Sequence, residues 1–417
     1  MPTPEHMLPS VESADTGPDA GPDTQVGGLH LAEIAAQFSG LLVSTPFDPV
    51  WGHASQNNAN RDAELEPALL LDHAGFAVVR PAPELACVRC VARHALDNTV
   101  DPSGHVVAKH VRKTGFVYPF GTASLGLVPV LLKAIDVGHL ARVDVRAGTV
   151  TYAPILVHPT CSCAMAPEPG PLEPVVTGPD LRAGEPAAPE PSAYASLVHK
   201  ERLTFDPAGS ITCLTHSYRS SGRVEDVCGG RALSVAAAKR SARCEAVERH
   251  HVVHVTRPLH RASFAALAEP ALDPEALHVH RPFAPAGSPQ YHADLPLRWA
   301  AGWSLTQDRK TWVPAQEVWF ETLALPDEPA LVQPTTSGCA VGSSLTEAVL
   351  HALIELIERD AFLAAWYARR PVREIPISAL DDAGFQALLQ RAQAAHPAHT
   401  FRFLDVTSEV GLPAVWA

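Results

Sequence analysis

The chain reads as an α/β protein made of two successive α/β units, and three observations predict this. Apolar residues alternate at period two in some stretches and recur at helical spacing in others. Two close pairs of cysteines flank a long stretch free of cysteine. Farther along, one helical pattern ending in Glu-x-x-Glu-Arg occurs twice. A length of 417 residues suits two or three domains and is ample for large cores. The 46% hydrophobic content is that of a globular protein, and a net charge of −13 leaves no electrostatic footprint for nucleic acid. No apolar run approaches the roughly 20 residues of a membrane span, so no membrane partner is expected.

Residues 1–28 form an acidic segment without periodicity, which reads as a disordered tail. It lacks the basic start and apolar core of a signal peptide, which predicts a cytoplasmic location. There, eight cysteines favour metal or packing roles over disulfides. Residues 29–165 form the first α/β unit, beginning with a helix over residues 29–38 and containing a strand over residues 75–80. Within it lie Cys87-Val-Arg-Cys90 and, much later, His158-Pro-Thr-Cys161-Ser-Cys163. A two-residue spacer lets both thiolates point to one centre, as tetrahedral zinc requires. The Cys-x-Cys pair is tighter, and its strain would be relieved if His158 replaced one thiolate. Ordinary buried cysteines, or a redox pair at Cys87 and Cys90, are the competing readings. Two close pairs with nothing between them favour a zinc-bearing domain held by Cys87, Cys90, Cys161 and Cys163. Residues 166–192, rich in Pro, Glu, Ala and Gly, read as a semi-rigid linker.

Residues 193–417 form the second unit. Its first half-buried strands suggest a hairpin, followed by a loop from Arg219 to Val227 that leads to Gly229-Gly230. A first helix follows, and after it His250, His251 and His254 read as a local surface cluster. A strand-like run covers residues 317–323, a further helix residues 379–395, and strands residues 400–406 and 411–417. The second repeated helix starts at Ser344-Leu-Thr-Glu347, which has the form of a capping box. Behind it Val349, Leu350, Leu353, Ile354, Leu356 and Ile357 form one broad face for packing, with Glu347, His351, Glu355 and Glu358 on the other side. Shifted by 110 positions, Glu245, Glu248 and Arg249 of the first helix align with Glu355, Glu358 and Arg359.

Either helix alone reads as an amphipathic surface, because Glu245→Arg249 and Glu355→Arg359 are i,i+4 ion pairs worth about a few tenths of a kcal/mol. The shared register argues instead for a pseudo-symmetric pair facing one pocket, since surface pairs need no duplicate. Four carboxylates supply the hard oxygen ligands that Mg²⁺ takes when it also binds phosphates. Two arginines suit phosphate oxygens as bidentate partners. Glu347 is explained by the capping box alone.

Gly229-Gly230 followed by Ala-x-x-x-Ser-x-x-x-Glu-x-x-Glu-Arg at residues 237–249, together with the stretch from Gly342 to Asp360, resembles the two nucleotide-binding helices of the YcaO superfamily. The resemblance covers residues 193–417, a YcaO-like ATP-binding domain, and departs from the family at Ser343, where Asn is usual. YcaO domains continue beyond the point reached by residue 417, so the resemblance implies an incomplete domain, in either a fragment or a degenerate copy. Cys87–Arg93, as Cys-x-x-Cys-x-x-Arg, and the later His-Pro-x-Cys segment resemble more weakly the zinc-holding domain that precedes azoline-forming members.

What the resemblance implies is ATP-dependent cyclodehydration of Cys, Ser or Thr in a ribosomally made precursor peptide, as in thiazole/oxazole-modified natural product biosynthesis. Glu245, Glu248, Glu355 and Glu358 would hold Mg²⁺, and Ser241, Arg249 and Arg359 would contact ATP. No general base stands out, so the catalytic residue is unassigned. Peptide thioamidation with the same ATP chemistry, or a non-catalytic zinc scaffold presenting the peptide, are the alternatives. No winged-helix segment for leader peptides is evident, so a separate leader-binding partner protein is expected, with homodimerisation left open.

Overall fold

The computed structural model describes residues 29–417, apart from residues 39–40, 45–65, 72–74, 83–85, 98–116, 119–121, 159–160, 162, 164–168, 173–196, 199, 219–224, 278–290, 325–326, 330 and 332–334. The tail expected at residues 1–28 and nearly all of the expected linker lie outside the described residues.

The chain enters through the two-residue strand β1 (Leu29–His30), which pairs with β5 (Val117–Tyr118), before helix α1 (Leu31–Gln37). The expected helix therefore starts two residues late. Strands β2 (Leu42–Ser44), β3 (Ala68–Leu71), β4 (Gly75–Arg80), β6 (His139–Asp144) and β7 (Thr149–Pro154) make a five-stranded sheet in the order β2-β3-β4-β6-β7. Only β2 and β3 run parallel. Both faces of β3 and β4 are buried, which is why they read as unbroken apolar runs. The period-two pleat separates them cleanly. Leu70, Ala77 and Val79 pack with Val88 and Val91 of α2 (Val88–Asp97), whereas Leu69, Phe76 and Val78 pack with Ile34, Leu125 of α3 (Thr122–Leu125), and Val128 and Leu131 of α4 (Val128–Ala134).

The second unit opens with an antiparallel sheet of β8 (Lys200–Phe205), β9 (Ile211–Tyr218) and β10 (Glu225–Ala232). Strand β10 takes in residues 225–227, the end of the loop expected from Arg219 to Val227, and runs on through Gly229 and Gly230, while residues 219–224 lie outside the described residues. Close packing accounts for Gly230. A Cβ on Gly230 would come within 2.3 Å of the Ala238 carbonyl oxygen and the Ala242 nitrogen of α5 (Val235–Val253). That helix lies across β9 and β10 through Ala238, Ala242 and Ala246, and a buried Arg243–Glu201 ion pair ties it to β8.

A third sheet of β11 (His260–Ser263), β12 (Pro296–Ser304) and β13 (Arg309–Pro314) packs around Trp299, with the short α6 (Pro274–Leu277) nearby in sequence. The strand expected over residues 317–323 is instead two 3₁₀ turns, Ala315–Glu317 and Phe320–Ala324. Trp319 and Thr322 are both buried, three residues apart, and the Thr322 hydroxyl donates to the Trp319 carbonyl at 2.6 Å. A strand would place that pair on opposite faces.

Helix α7 (Leu345–Tyr367) is the second repeated helix, and α8 (Ala383–Ala395) follows with Asp382 as its N-cap. Strands β14 (Arg373–Ile375), β15 (Phe403–Asp405) and β16 (Val415–Trp416) form a small antiparallel sheet. The broad apolar face expected to pack on α7 does not do so. Leu350, Leu353, Ile354 and Leu356 are 38–49% exposed, and the helix is buried chiefly at Glu347 and Ala361. Among the described elements, α7 meets the small sheet through Ala361 and Ala365, which pack with Val406, Ala414 and Val372.

Candidate nucleotide cleft and metal centre

The two cysteine pairs converge. Cys87 precedes α2 and Cys90 lies in its first turn, while Cys161 and Cys163 return from the far edge of the sheet. The Sγ atoms are 3.9 Å apart for Cys87–Cys90, 3.5 Å for Cys87–Cys161, 3.7 Å for Cys87–Cys163 and 3.2 Å for Cys90–Cys163. Four sulfurs around tetrahedral zinc, each about 2.3 Å from the metal, stand about 3.8 Å from one another, so the set fits. All eight cysteines are free thiols. Hydrogen bonds to Cys161 and Cys163, with burial adding to them, hold the Cys87 and Cys90 thiols well above the usual range. The same contacts favour the thiolate at Cys161. A divalent cation would allow the whole set to ionise.

The four cysteines make up the group by themselves, as expected, and the alternative in which His158 replaces one thiolate is not needed to complete it. The His158 ring lies against His94 at 4.8 Å and His250 at 5.8 Å. Nor do the three histidines after the first carboxylate helix form a surface cluster. His250 and His254 are 7% and 2% exposed, and only His251 faces solvent. Burial, reinforced by the neighbouring rings, keeps the His250 pKa well below the usual imidazole value. Period-3.6 counting could not reveal this, since it places His250 and His254 on one face without saying what covers it.

The repeated helices share their construction as well as their sequence. In α5 the Ser234 hydroxyl accepts the Ala237 amide at 3.2 Å, and in α7 the Ser344 hydroxyl accepts the Glu347 amide at 3.2 Å. Arg249 pairs with Glu245 at 3.2 Å and Arg359 with Glu355 at 2.7 Å, each one turn back along its helix. Glu347 is buried and accepts the Ser343 amide and hydroxyl, so it closes the start of α7.

Across the gap between the helices the carboxylates act on one another. Glu248 is raised to about 7, first by burial and then by the negative charges of Glu355 and Glu245, against the pull of Arg249 and Arg359. Five of the expected residues therefore share one electrostatic environment: Glu245, Glu248, Arg249, Glu355 and Arg359. Ser241 and Glu358 are exposed on the same two helices. Glu245 also accepts the Gly229 amide at 2.8 Å, fixing the carboxylate to strand β10. A cleft of about 220 Å³ opens beside it, lined by Asp226, Cys228, Glu245, Arg249 and Phe320. Asp226, Cys228 and Cys339 escaped the sequence reading. Burial, with Glu248 and Glu355 nearby, pushes Cys339 up to about 11, and burial with Glu245 and Asp226 pushes Cys228 up to about 12. These are thiols at neutral pH. No spacing rule marks them, because they come from strand and loop positions far from the helices in sequence.

An α/β chain with one thiolate centre and one carboxylate cleft defines the class, a protein with two distinct candidate metal sites. The comparisons specify it. Residues 229–417 match the family model described as YcaO cyclodehydratase, ATP- and Mg²⁺-binding. Over 150 residues it is 39% identical to an uncharacterized protein of Mycobacterium tuberculosis, covering 35% of this chain and 32% of that one. A heterocyclase solved in complex with substrate and cofactor superposes with a TM-score of 0.67 at 18% identity, covering 95% of this chain and 62% of that chain. The heterocyclase TruD superposes with a TM-score of 0.57 at 18% identity, covering 95% and 60%. At that identity the likeness is one of fold, and it extends over both units. The chain spans about 32–46% of the length of the curated relatives it matches.

Proposed function

We propose that the chain takes part in ATP-dependent cyclodehydration of Cys, Ser or Thr in a ribosomally made precursor peptide, giving thiazoline or oxazoline rings. The observation that carries this reading is the shared environment of Glu245, Glu248 and Glu355 with Arg249 and Arg359, within residues matched by the YcaO model. Glu245, Glu248, Glu355 and Glu358 would hold Mg²⁺, and Ser241, Arg249 and Arg359 the nucleotide. When bound, Mg²⁺ supplies neutralisation of phosphate charge, on which phosphoryl transfer chiefly depends. The cleft is smaller than the ~300–1,000 Å³ of ordinary ligand pockets, which suits it to the phosphate end of ATP. In the reaction, a side-chain thiol or hydroxyl adds to the preceding amide carbon. The attacking group gives up its proton, the amide oxygen takes the γ-phosphoryl group and leaves with phosphate, and loss of the nitrogen proton completes the C=N bond. Cys87, Cys90, Cys161 and Cys163 would hold a structural zinc. A separate protein would recognise the leader peptide.

Incubation with ATP, Mg²⁺, the leader-binding partner and a peptide containing Cys, Ser and Thr, with and without added sulfide, tests this. The expected result is one phosphate released for each water lost from the peptide by mass spectrometry. Phosphate release with sulfur gained in place of oxygen would assign thioamidation instead, and no Mg²⁺-dependent phosphate release at all would refute both.

A further inference from the structure

We propose that a buried row of four imidazoles, His94, His158, His250 and His254, couples the cysteine centre to the first carboxylate helix, so that zinc and Mg·ATP strengthen each other's binding. This inference rests on the assignment of those two centres under Proposed function.

The row begins beside the cysteine centre and runs onto the C-terminal turn of the first carboxylate helix. His94 lies one turn beyond Cys90 on α2, and its Nε2 is 3.1 Å from the Leu156 carbonyl oxygen. His158 stands three residues before Cys161, and its carbonyl accepts the Cys161 amide at 2.8 Å. His250 follows Arg249 directly and Glu248 by two residues on α5, and His254 caps that helix with its Nδ1 3.6 Å from Glu321. Successive ring centroids are 4.8, 5.8 and 4.7 Å apart, with interplanar angles of 61°, 89° and 72°. All are edge-to-face contacts in the favourable range for stacked rings. The four residues are 1–7% exposed.

This row is not a second metal centre. Among the described residues, the four cysteines form the only group of three or more His, Cys, Asp or Glu whose ligand atoms lie within 4.8 Å of one another. Packing is what the row provides. The buried Nε2 of His250 has no hydrogen-bond partner, so nothing at that nitrogen anchors the ring against movement of its neighbours. A metal that fixes Cys161 fixes the backbone of His158 through the 2.8 Å bond, and the His158 ring sets the place of His250. Close-packed side chains transmit such a displacement instead of absorbing it. His250 is thus a positioning residue for Glu245, Glu248 and Arg249.

The test uses the full zinc-loaded chain. Zinc affinity is measured by competition with a chromophoric chelator, with and without Mg²⁺ and a non-hydrolysable ATP analogue. Nucleotide affinity is measured by calorimetry at matched zinc loading. Linkage requires one factor for both ligands, expected at about 5–150-fold. His250→Ala should bring that factor close to one while each ligand still binds, and His250→Phe, which keeps a packed ring, should restore most of it. A purely structural role would lower the melting temperature of His250→Ala and leave the factor unchanged, which would overturn the proposal. Wild-type nucleotide binding that leaves zinc affinity within about twofold would overturn the coupling and leave the function standing. Failure of the wild-type chain to bind Mg·nucleotide would overturn both.

Discussion

Glu248, on the helix that borders the cleft, carries a strongly displaced carboxyl. Burial, with Glu355 and Glu245 beside it, raises its carboxyl to about 7 from the ordinary 4.5. In the metal-free chain the protonated form is favoured below about pH 7. The stability it contributes is fully present below pH 4.5 and is lost as pH rises through about 7. Metal binding must displace that proton, which gives binding the opposite dependence. Mg²⁺-dependent nucleotide affinity should climb by up to about tenfold per pH unit on approaching neutrality and level off above about pH 7, while Glu248→Gln flattens the slope. Calorimetry across pH 5.5–8.5 checks this, and identical profiles in both proteins would show that Glu248 carries no metal. The register of Glu245, Glu248, Glu355 and their arginines is plain in the sequence because ligand spacing on a helix is local. Cys228 and Cys339 are illegible there because their neighbours are set only by the fold.

Among the elements, the two repeated helices are legible down to their caps, since Ser234 and Ser344 each precede a helical pattern by one residue. The strand carrying Gly229-Gly230 is not, because glycines inside a strand read as a turn unless the approaching backbone is known. That approach predicts a sharp effect. Gly230→Ala should force α5 away from β9 and β10 and cost roughly 1–3 kcal/mol or more, read as a lowered denaturation midpoint and weakened Mg·nucleotide binding. Gly148→Ala, where a Cβ meets nothing within 4 Å but φ is +66°, is the control for backbone strain alone. Equal midpoints in the two variants would mean that the helix does not need the bare glycine. Likewise the run around Trp319 alternates like a strand, and only the burial of both Trp319 and Thr322 turns it into 3₁₀ structure.

For the whole molecule, the mixture of α and β elements follows from period counting, and 95% of the chain superposes on the heterocyclase structures. What periodicity could not supply is the face each unit turns to the other, where His158 meets His250, or the partner of the apolar side of α7. Helical amphipathicity states that a face is apolar, never what covers it. At this scale the cysteine centre predicts about one zinc per chain by elemental analysis. Cys87→Ala with Cys90→Ala should release it and lower the melting temperature, because Cys87 and Cys90 belong to the same core as Leu70 and Val79. Metal-free protein with an unchanged melting temperature would argue against a structural metal. The central claim, that α5 and α7 build one Mg·nucleotide site, is tested most directly by a double-mutant cycle on Mg²⁺-dependent ATP binding to the full chain. Glu248→Gln and Glu355→Gln should each weaken binding by about tenfold or more, only with Mg²⁺ present, and together by far less than the product of the two. Wild-type, Mg²⁺-dependent affinity in both single variants would leave only two surface ion pairs worth about 1 kcal/mol at most, and would contradict the account.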